Sequence, residues 1–423
     1  MNPRRRYGLV SFLLWFPVAL SIPVSVLLMT SRGLSLAQVG LVMTVFSVVT
    51  LSLELPTGGL SDVIGRRRVL AASAAFAVAA FLLTAVAQDI WAFTAAIVLK
   101  AVARALSSGP AEAWYVDTLH AVEGPEADLR PGLALGNSMG SLALCLGVGL
   151  GGLVPLLAPG EDSAVLAVPV LLAAGAALVL LVTVLFALPE PPHPRRSAAA
   201  VLREVPATVV SGVRLAARGP VLRRLVAYSV VNGVALTSVE LLTPGRLAEL
   251  AGAAGLGSTF YAVVAALGFA GSAAGAALAP WAGRLLGGSG AGVRGVLTGA
   301  LIACCALSAL ALTAHLDGTA GLVSASGAYV VLFVGLSLAG LFVQEMTHHA
   351  VTAEQRSTVT SVNSLSLQAG GALVNIPLGA LAAAQGVAAS WAVAAGLLLV
   401  SLLLFVRMPA ARAAEHDSVT MGG

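Results

Sequence analysis

Few side chains in this sequence can carry charge or move a proton, and several of those that can stand inside long apolar runs. Glu54, Lys100, Arg104, Glu112, Glu240 and Glu345 all fall there. A carboxyl group held in a partly desolvated cavity takes up a proton while the cavity faces one solution and releases it when the cavity faces the other. Glu240 suits that task, standing about 19 residues into its run, roughly 28 Å along a helix that rises 1.5 Å per residue. A structural reading stands beside it, in which Glu240 reaches outer headgroups or pairs with Arg246. Asn232, two turns earlier on a neighbouring face, is placed to share a cavity with it. Lys100 and Arg104 lie one helical turn apart on one face, at a depth where an unpaired cation costs roughly 3 kcal/mol on insertion scales. They need partners, for which Glu54, Glu240, an anionic ligand and water are the candidates. Glu54 itself reads as a gate residue or a second proton site.

A second concentration of polar residues is the run from Gly58 to Arg68, which joins two apolar stretches and contains Asp62, Gly65, Arg66, Arg67 and Arg68. Its glycines permit a tight turn and close helix approach. Its arginines suit a surface of anionic headgroups, and Asp62 can face helix-end amides or a cation. Trp15, Trp114 and Tyr115 read either as a stacking surface for a flat ligand or as interfacial anchors. Ser364, Gln368 and Asn375 share one face of a later apolar run.

The elements that must hold these residues follow from composition. The 423 residues are 58% hydrophobic and 10% charged, whereas soluble domains carry roughly 25% charged residues. A water-facing surface is excluded, and backbone polar groups must then be satisfied inside membrane-crossing helices. Barrel strands are excluded too, because the apolar runs lack alternation. The expected fold is an all-α membrane protein of about twelve transmembrane helices in two six-helix halves. Expected spans are 8–30, 36–57, 69–87, 90–113, 132–157 and 164–187, then 221–244, 256–281, 295–314, 319–345, 357–381 and 387–407. The corresponding domains are 1–187, a linker 188–220 with an amphipathic helix, 221–410, and a polar tail 411–423. The basic start followed by an apolar run long enough to span reads as a retained first helix rather than a cleaved signal.

With the N-terminus inside, every Lys and Arg falls on the inner side except Arg32 and Arg246 outside and Lys100 and Arg104 within a span. That bias places both termini and the linker in the cytoplasm. The halves also repeat. Arg130 precedes Asn137-Ser138 by the interval that separates Arg356 from Asn363-Ser364, and Gly58, Asp62 and Gly65 align with Pro280, Arg284 and Gly287 at one constant offset. Two parallel six-span halves are what duplication of a transporter half produces. Spans 3, 6, 9 and 12 carry no charge in their interiors, so every third helix is expected to face lipid.

Together these residues resemble the major facilitator superfamily, over nearly the whole chain. Its members carry Gly-x-x-x-Asp-x-x-Gly-Arg-Arg-like sequences between spans 2 and 3, matched here by Gly58, Asp62, Gly65, Arg66 and Arg67. The resemblance implies that this loop latches the cytoplasmic side, with Asp62 near the end of span 11 and the arginines near acids at the end of span 4, where Glu112 and Asp117 stand. Arg130 and Arg356 join that gate. The run Ser108 to Asp117 is similar to a bacterial branch made up mostly of drug and small-molecule exporters, in which Lys100 or Arg104 corresponds to the basic residue of span 4. This chain departs from the pattern in having two basic residues there and in lacking the Gly-Pro pair of the antiporter signature in span 5.

The expected activity is therefore proton-coupled efflux of small hydrophobic compounds by alternating access, the alternative being proton-linked uptake of an organic anion. Glu240 and Glu54 are the coupling candidates, and Lys100, Arg104, Asn232, Asn363, Gln368 and Asn375 line the substrate cavity. An enzyme is not expected, since no Ser/His/Asp set, metal cluster or nucleotide motif lies at a usable depth; His348-His349 lacks ligand spacing. No cofactor and no nucleic acid is implied. The partners are a small-molecule substrate, protons and lipid, in a monomer of the bacterial cytoplasmic membrane.

Overall fold

The computed structural model describes residues 2–124, 127–157, 162–189, 214, 219–252, 254–288, 290–351, 356–406 and 408. Among them, twelve helical segments are long and apolar enough to cross a membrane. The linker expected to hold an amphipathic helix and the tail 411–423 lie almost wholly outside the described residues.

The helices start where side chains can take up free backbone amides. Pro3–Ser31 (α1) is opened by Asn2, whose side chain accepts from the Arg4 N–H at 3.0 Å. Leu36–Ile64 (α2) begins with a reciprocal cap between Ser35 and Gln38. Arg66–Val86 (α3) follows after one residue, Gly65, whose φ of 105° reverses the chain. Ile90–Ser107 (α4) starts at Asp89, which accepts from the N–H groups of Trp91 and Ala92 at 2.8 and 2.9 Å.

The expected fourth span is not one helix. It breaks at Ser108 and Gly109, and Pro110–Glu123 (α5) begins anew with proline in its first turn. Gly109 has a φ of 92°, which a side-chain-bearing residue rarely adopts, and Pro110 has no N–H to continue the helix. Arg130–Leu157 (α6) and Asp162–Ala187 (α7) complete this half. Pro220–Ala251 (α8), Ala254–Leu286 (α9), Ala291–Thr313 (α10), Gly318–His349 (α11), Arg356–Gln385 (α12) and Val387–Ser401 (α13) make up the rest, closed by a short 3-10 turn.

The chain forms two compact units, Met1–Ala207 with Thr243–Ala266, and Thr208–Leu242 with Leu267–Gly423. In the first, Tyr7, Leu70, Trp114, Tyr115, Leu180 and Val184 form one core. Trp114 is 1% and Tyr115 0% exposed, so they are neither interfacial anchors nor a stacking surface for ligand. Trp114 donates to the Pro189 carbonyl at 2.7 Å, and Tyr115 stacks on Tyr7 with centroids 4.9 Å apart. Residues 243–266 join this unit through Ala262 and Ala265 against Ala19 and Val148, and through Thr259, which donates to the Gly152 carbonyl at 2.5 Å.

Arg32, on the side otherwise poor in basic residues, donates to the carbonyls of Thr84, Ala85 and Ala87 at 3.2, 2.7 and 2.5 Å. It caps the end of α3, where carbonyls lack partners and the helix dipole favours a cation. Burial lowers its pKa, yet arginine's ordinary value lies so high that the charge persists.

In the second unit, Tyr228 meets Phe405 edge-on at 5.3 Å, and Trp391 is fully buried. Helices α8 and α12 touch backbone to backbone. A Cβ at Gly233 would run into the Leu367 carbonyl, and one at Gly370 into that of Val230. Arg224 closes the C-terminal turn by donating to the Leu404 and Val406 carbonyls, both at 3.2 Å.

Candidate functional site

The first unit holds the cations. Side chains on a helix lean toward its N-terminus, so Lys100 reaches back along α4 into a cavity of about 90 Å³ lined by Ser21, Ser25, Phe81, Thr84 and Phe93. Its Nζ donates to Ser21 Oγ at 3.3 Å and lies 5.4 Å from the Phe81 ring centroid. Ser21 gives its own proton to the Val18 carbonyl at 2.8 Å, leaving lone pairs for the ammonium. The partners of Lys100 are thus a hydroxyl and a ring face; no carboxylate pairs with it among the described residues. This cavity lies among α1, α2, α3 and α4.

One turn on, the Arg104 guanidinium lies over the Trp15 ring at 4.9 Å, with the side chain exposed. Such a contact contributes about 0.5–1 kcal/mol where exposed. Glu54, half-buried on α2, accepts from Ser108 Oγ at 3.2 Å, and its charge acts on Arg104. The break after α4 makes this geometry, since Ser108 lies where the helix ends and its hydroxyl turns to the neighbouring carboxylate. Thr57 ties the same helices together, donating to the Ala105 carbonyl at 3.0 Å.

At the start of α3, Arg66 forms a salt bridge with Asp117 and donates to the Ala113 carbonyl at 2.5 Å. Arg67 bonds the Leu185 carbonyl. Glu112 instead sits exposed in the first turn of α5, where a helix N-terminus favours an acid. Arg4 pairs with Glu123 at 2.8 Å. Gly58 and Asp62 lie on α2 and Arg130 and Arg356 begin α6 and α12, and the surroundings of these four residues are outside the described part of the structure.

The second unit holds an unpaired acid and several amides. Glu240, on α8, is exposed and has no hydrogen-bond or ion-pair partner among the described residues. Pairing with Arg246 does not occur; Arg246 donates to Glu249 at 3.2 Å. Two turns earlier, Asn232 Oδ1 is buried with no donor among the described residues. Ser229 donates to Asn363 across the α8–α12 contact that Gly233 and Gly370 permit. On α12, Gln368 is half-buried, whereas Asn375 is 4% exposed and Ser364 is exposed. The face expected to be shared by Ser364, Gln368 and Asn375 therefore runs from an open end into packed interior.

Sequence reasoning missed Ser21, Phe81, Ser108 and Ser229. Two signals were present: hydroxyls at Ser21 and Ser25, one turn apart in an apolar run, and the Gly109-Pro110 pair, a strong break signal. Among the described residues no cluster of His, Cys, Asp and Glu is able to hold a metal ion.

The sequence profile of the Major Facilitator Superfamily matches residues 7–375. No curated protein matches the sequence. Among solved structures, a nucleoside transporter, NupG, superposes with a TM-score of 0.77 at 13% identity, covering 96% of this chain and 98% of its own. A POT family transporter in complex with 5-aminolevulinic acid superposes with a TM-score of 0.72 at 13% identity, covering 95% of each chain. A peptide transporter, POT, in complex with sulfate does so at 0.69 and 15%, covering 96% of this chain and 93% of its own.

Proposed function

The chain belongs to the Major Facilitator Superfamily, a multi-pass membrane transporter and not an enzyme, and from that premise we propose that it exports small hydrophobic compounds in exchange for protons by alternating access. The observation that carries this reading is Glu240. A carboxylate in the outer half of a membrane-crossing helix, exposed and without a partner among the described residues, is a costly arrangement. It persists where proton uptake and release are its use.

In this reading Glu240 is the coupling group. Glu54, held by Ser108 beside Arg104, is the second coupling candidate. Arg104 on its Trp15 platform, with Lys100, Asn232, Asn363, Gln368 and Asn375, contributes to substrate binding. Gly65, Arg66, Arg67, Glu112 and Asp117, with Gly58, Asp62, Arg130 and Arg356, form the inner gate. In this reading the protein acts as a monomer in the bacterial cytoplasmic membrane, and the distribution of arginines supports both termini lying inside.

The test is accumulation of a fluorescent lipophilic cation in efflux-deficient bacteria that express the wild type or Glu240→Gln, with and without a protonophore. Lower accumulation in the wild type alone, abolished by protonophore and by the substitution, is the expected result. Equal accumulation in all strains at matched expression overturns broad-specificity export.

A second reading, proton-linked uptake of an organic anion, is favoured by one observation: Lys100 meets a hydroxyl and an aromatic face, and no carboxylate among the described residues. Arg104→Glu separates the two. An anion importer loses substrate binding, while a cation exporter keeps it.

A further inference from the structure

Four helices of the first unit leave a space that their own side chains neither fill nor neutralise. The cavity of about 90 Å³ among α1, α2, α3 and α4 reaches from Met29, Thr84 and Phe93, each close to a helix end, down to Lys100. Phe93 and Lys100 stand roughly 10 Å apart along α4 at 1.5 Å per residue. The space has roughly the volume of three water molecules.

Lys100 brings more donors to it than the protein uses. An ammonium has three N–H groups; Ser21 Oγ takes one, and no other hydrogen-bond acceptor meets Lys100 among the described residues. The Phe81 ring faces the charge at 5.4 Å. No carboxylate lines the cavity among the described residues. At its far end Arg32 adds a second cation, 6.0 Å from the centroid of the Phe93 ring. Asp89, the acid at the start of α4, is exposed and accepts from the N–H groups of Trp91 and Ala92. The space is therefore positive at both ends, with nothing negative in its wall.

A cation held away from water attracts an anion far more strongly than one in solution, because Coulomb energy rises as the dielectric falls. The hydroxyls assist. Ser21, Ser25 and Thr84 donate to the carbonyls of Val18, Ser21 and Ala80 on their own helices, carbonyls that also accept a helical N–H, so each hydroxyl is free to turn toward an anion. Size and charge then select. A halide fits with water beside it, a divalent oxyanion brings more charge than one ammonium balances, and an organic acid with a tail exceeds the volume.

We propose that this cavity binds a halide-sized monovalent anion, held by the Lys100 ammonium among the hydroxyls of Ser21, Ser25 and Thr84. The anion is a resident ligand of the first unit and not the exported compound. The part given to Lys100 in substrate binding then runs through that anion, and the test requires no transport.

The experiment is chloride NMR of the purified full-length chain in nonionic detergent, with gluconate holding ionic strength constant. The expected result is excess chloride linewidth that saturates and is displaced by bromide. Lys100→Gln and Lys100→Met each weaken binding about tenfold or more, Ser25→Ala weakens it about threefold, and Arg284→Gln in the second unit leaves it unchanged. Monodispersity on size exclusion verifies each variant's fold. Anomalous diffraction from wild-type crystals grown in bromide reads the site without any substitution, and a peak in contact with Lys100 Nζ is expected. Linewidth that never saturates, saturable binding that survives loss of Lys100, or a crystal without that peak overturns the proposal. So does displacement by acetate as strong as by bromide, which would make Lys100 the carboxylate ligand of an organic-anion substrate.

Discussion

In the first unit the described side chains at the junction of α2 and α3 are engaged: Arg66 bonds Asp117 and the Ala113 carbonyl, Arg67 bonds the Leu185 carbonyl, and Trp114 and Tyr115 are buried nearby. In the second unit the junction of α9 and α10, aligned with it by the sequence repeat, is a cavity that Arg284 and Glu345 border without meeting. The cause is side-chain size. Where one half starts a helix with Arg66, Arg67 and Arg68, the other starts with Ala291 and Gly292, and no aromatic pair like Trp114 and Tyr115 stands near Glu345. A duplicated backbone frame thus carries a closed corner in one copy and an open one in the other. Small residues leave space, and charges left beside space become available to something else.

The largest expected effect separates the two corners by packing. Trp114→Ala removes a fully buried ring and its bond to Pro189, at about 3–5 kcal/mol, whereas Leu341→Ala beside the cavity costs about 1–2 kcal/mol, because that side chain is 36% exposed. The drop in apparent Tm, followed by size exclusion after heating, reads both. Equal drops would mean that the second corner is as tightly packed as the first.

A middle-sized effect tests what the units share. In each, a glycine lets two helices meet at a carbonyl, Gly151 against Leu20 and Gly370 against Val230. Gly151→Ala and Gly370→Ala should each cost about 1–3 kcal/mol through forced separation of the helices, measured in the same way. A neutral result at either position would show that its helix pair yields easily.

The smallest effect concerns charge. Asp117 is 37% and Arg66 18% exposed as side chains, so screening limits their pair, and Arg66→Ala is expected to cost about 1–2 kcal/mol. Arg284→Ala in lipid-free detergent should stay within about 0.5 kcal/mol, because no bond is lost. A large loss at Arg284 would break the comparison.

Most of the fold was legible from hydropathy. Runs such as Val165 to Phe186 are apolar all round, and only a helix in lipid satisfies their backbone. The break at Gly109 was written in the Gly109-Pro110 pair, but the hydropathy of the fourth run passes over it, since a break costs no apolar character. The site was legible as a set of charges and not as a set of contacts. Lys100 and Arg104 stood out because charge is rare here, whereas Ser21, Phe81 and Trp15, their partners, are ordinary residues for an apolar helix. Trp114 and Tyr115 were misread because an aromatic near a span end looks alike whether it faces headgroups or packs beneath α5.

The order of residues by itself determined that this chain folds as membrane-crossing helices in two related halves of the Major Facilitator Superfamily, because burying backbone in lipid leaves no other solution for such composition and because motif spacing is a property of the chain alone. Tertiary structure alone decided that Arg66 meets Asp117, that Lys100 turns to Ser21 and Phe81, that Glu240 is left without a partner among the described residues, and that the charged side chains of one corner are bonded while those of the other border open space. Those outcomes depend on which faces of distant helices approach and how much space their side chains leave, and periodicity along the chain carries no record of either.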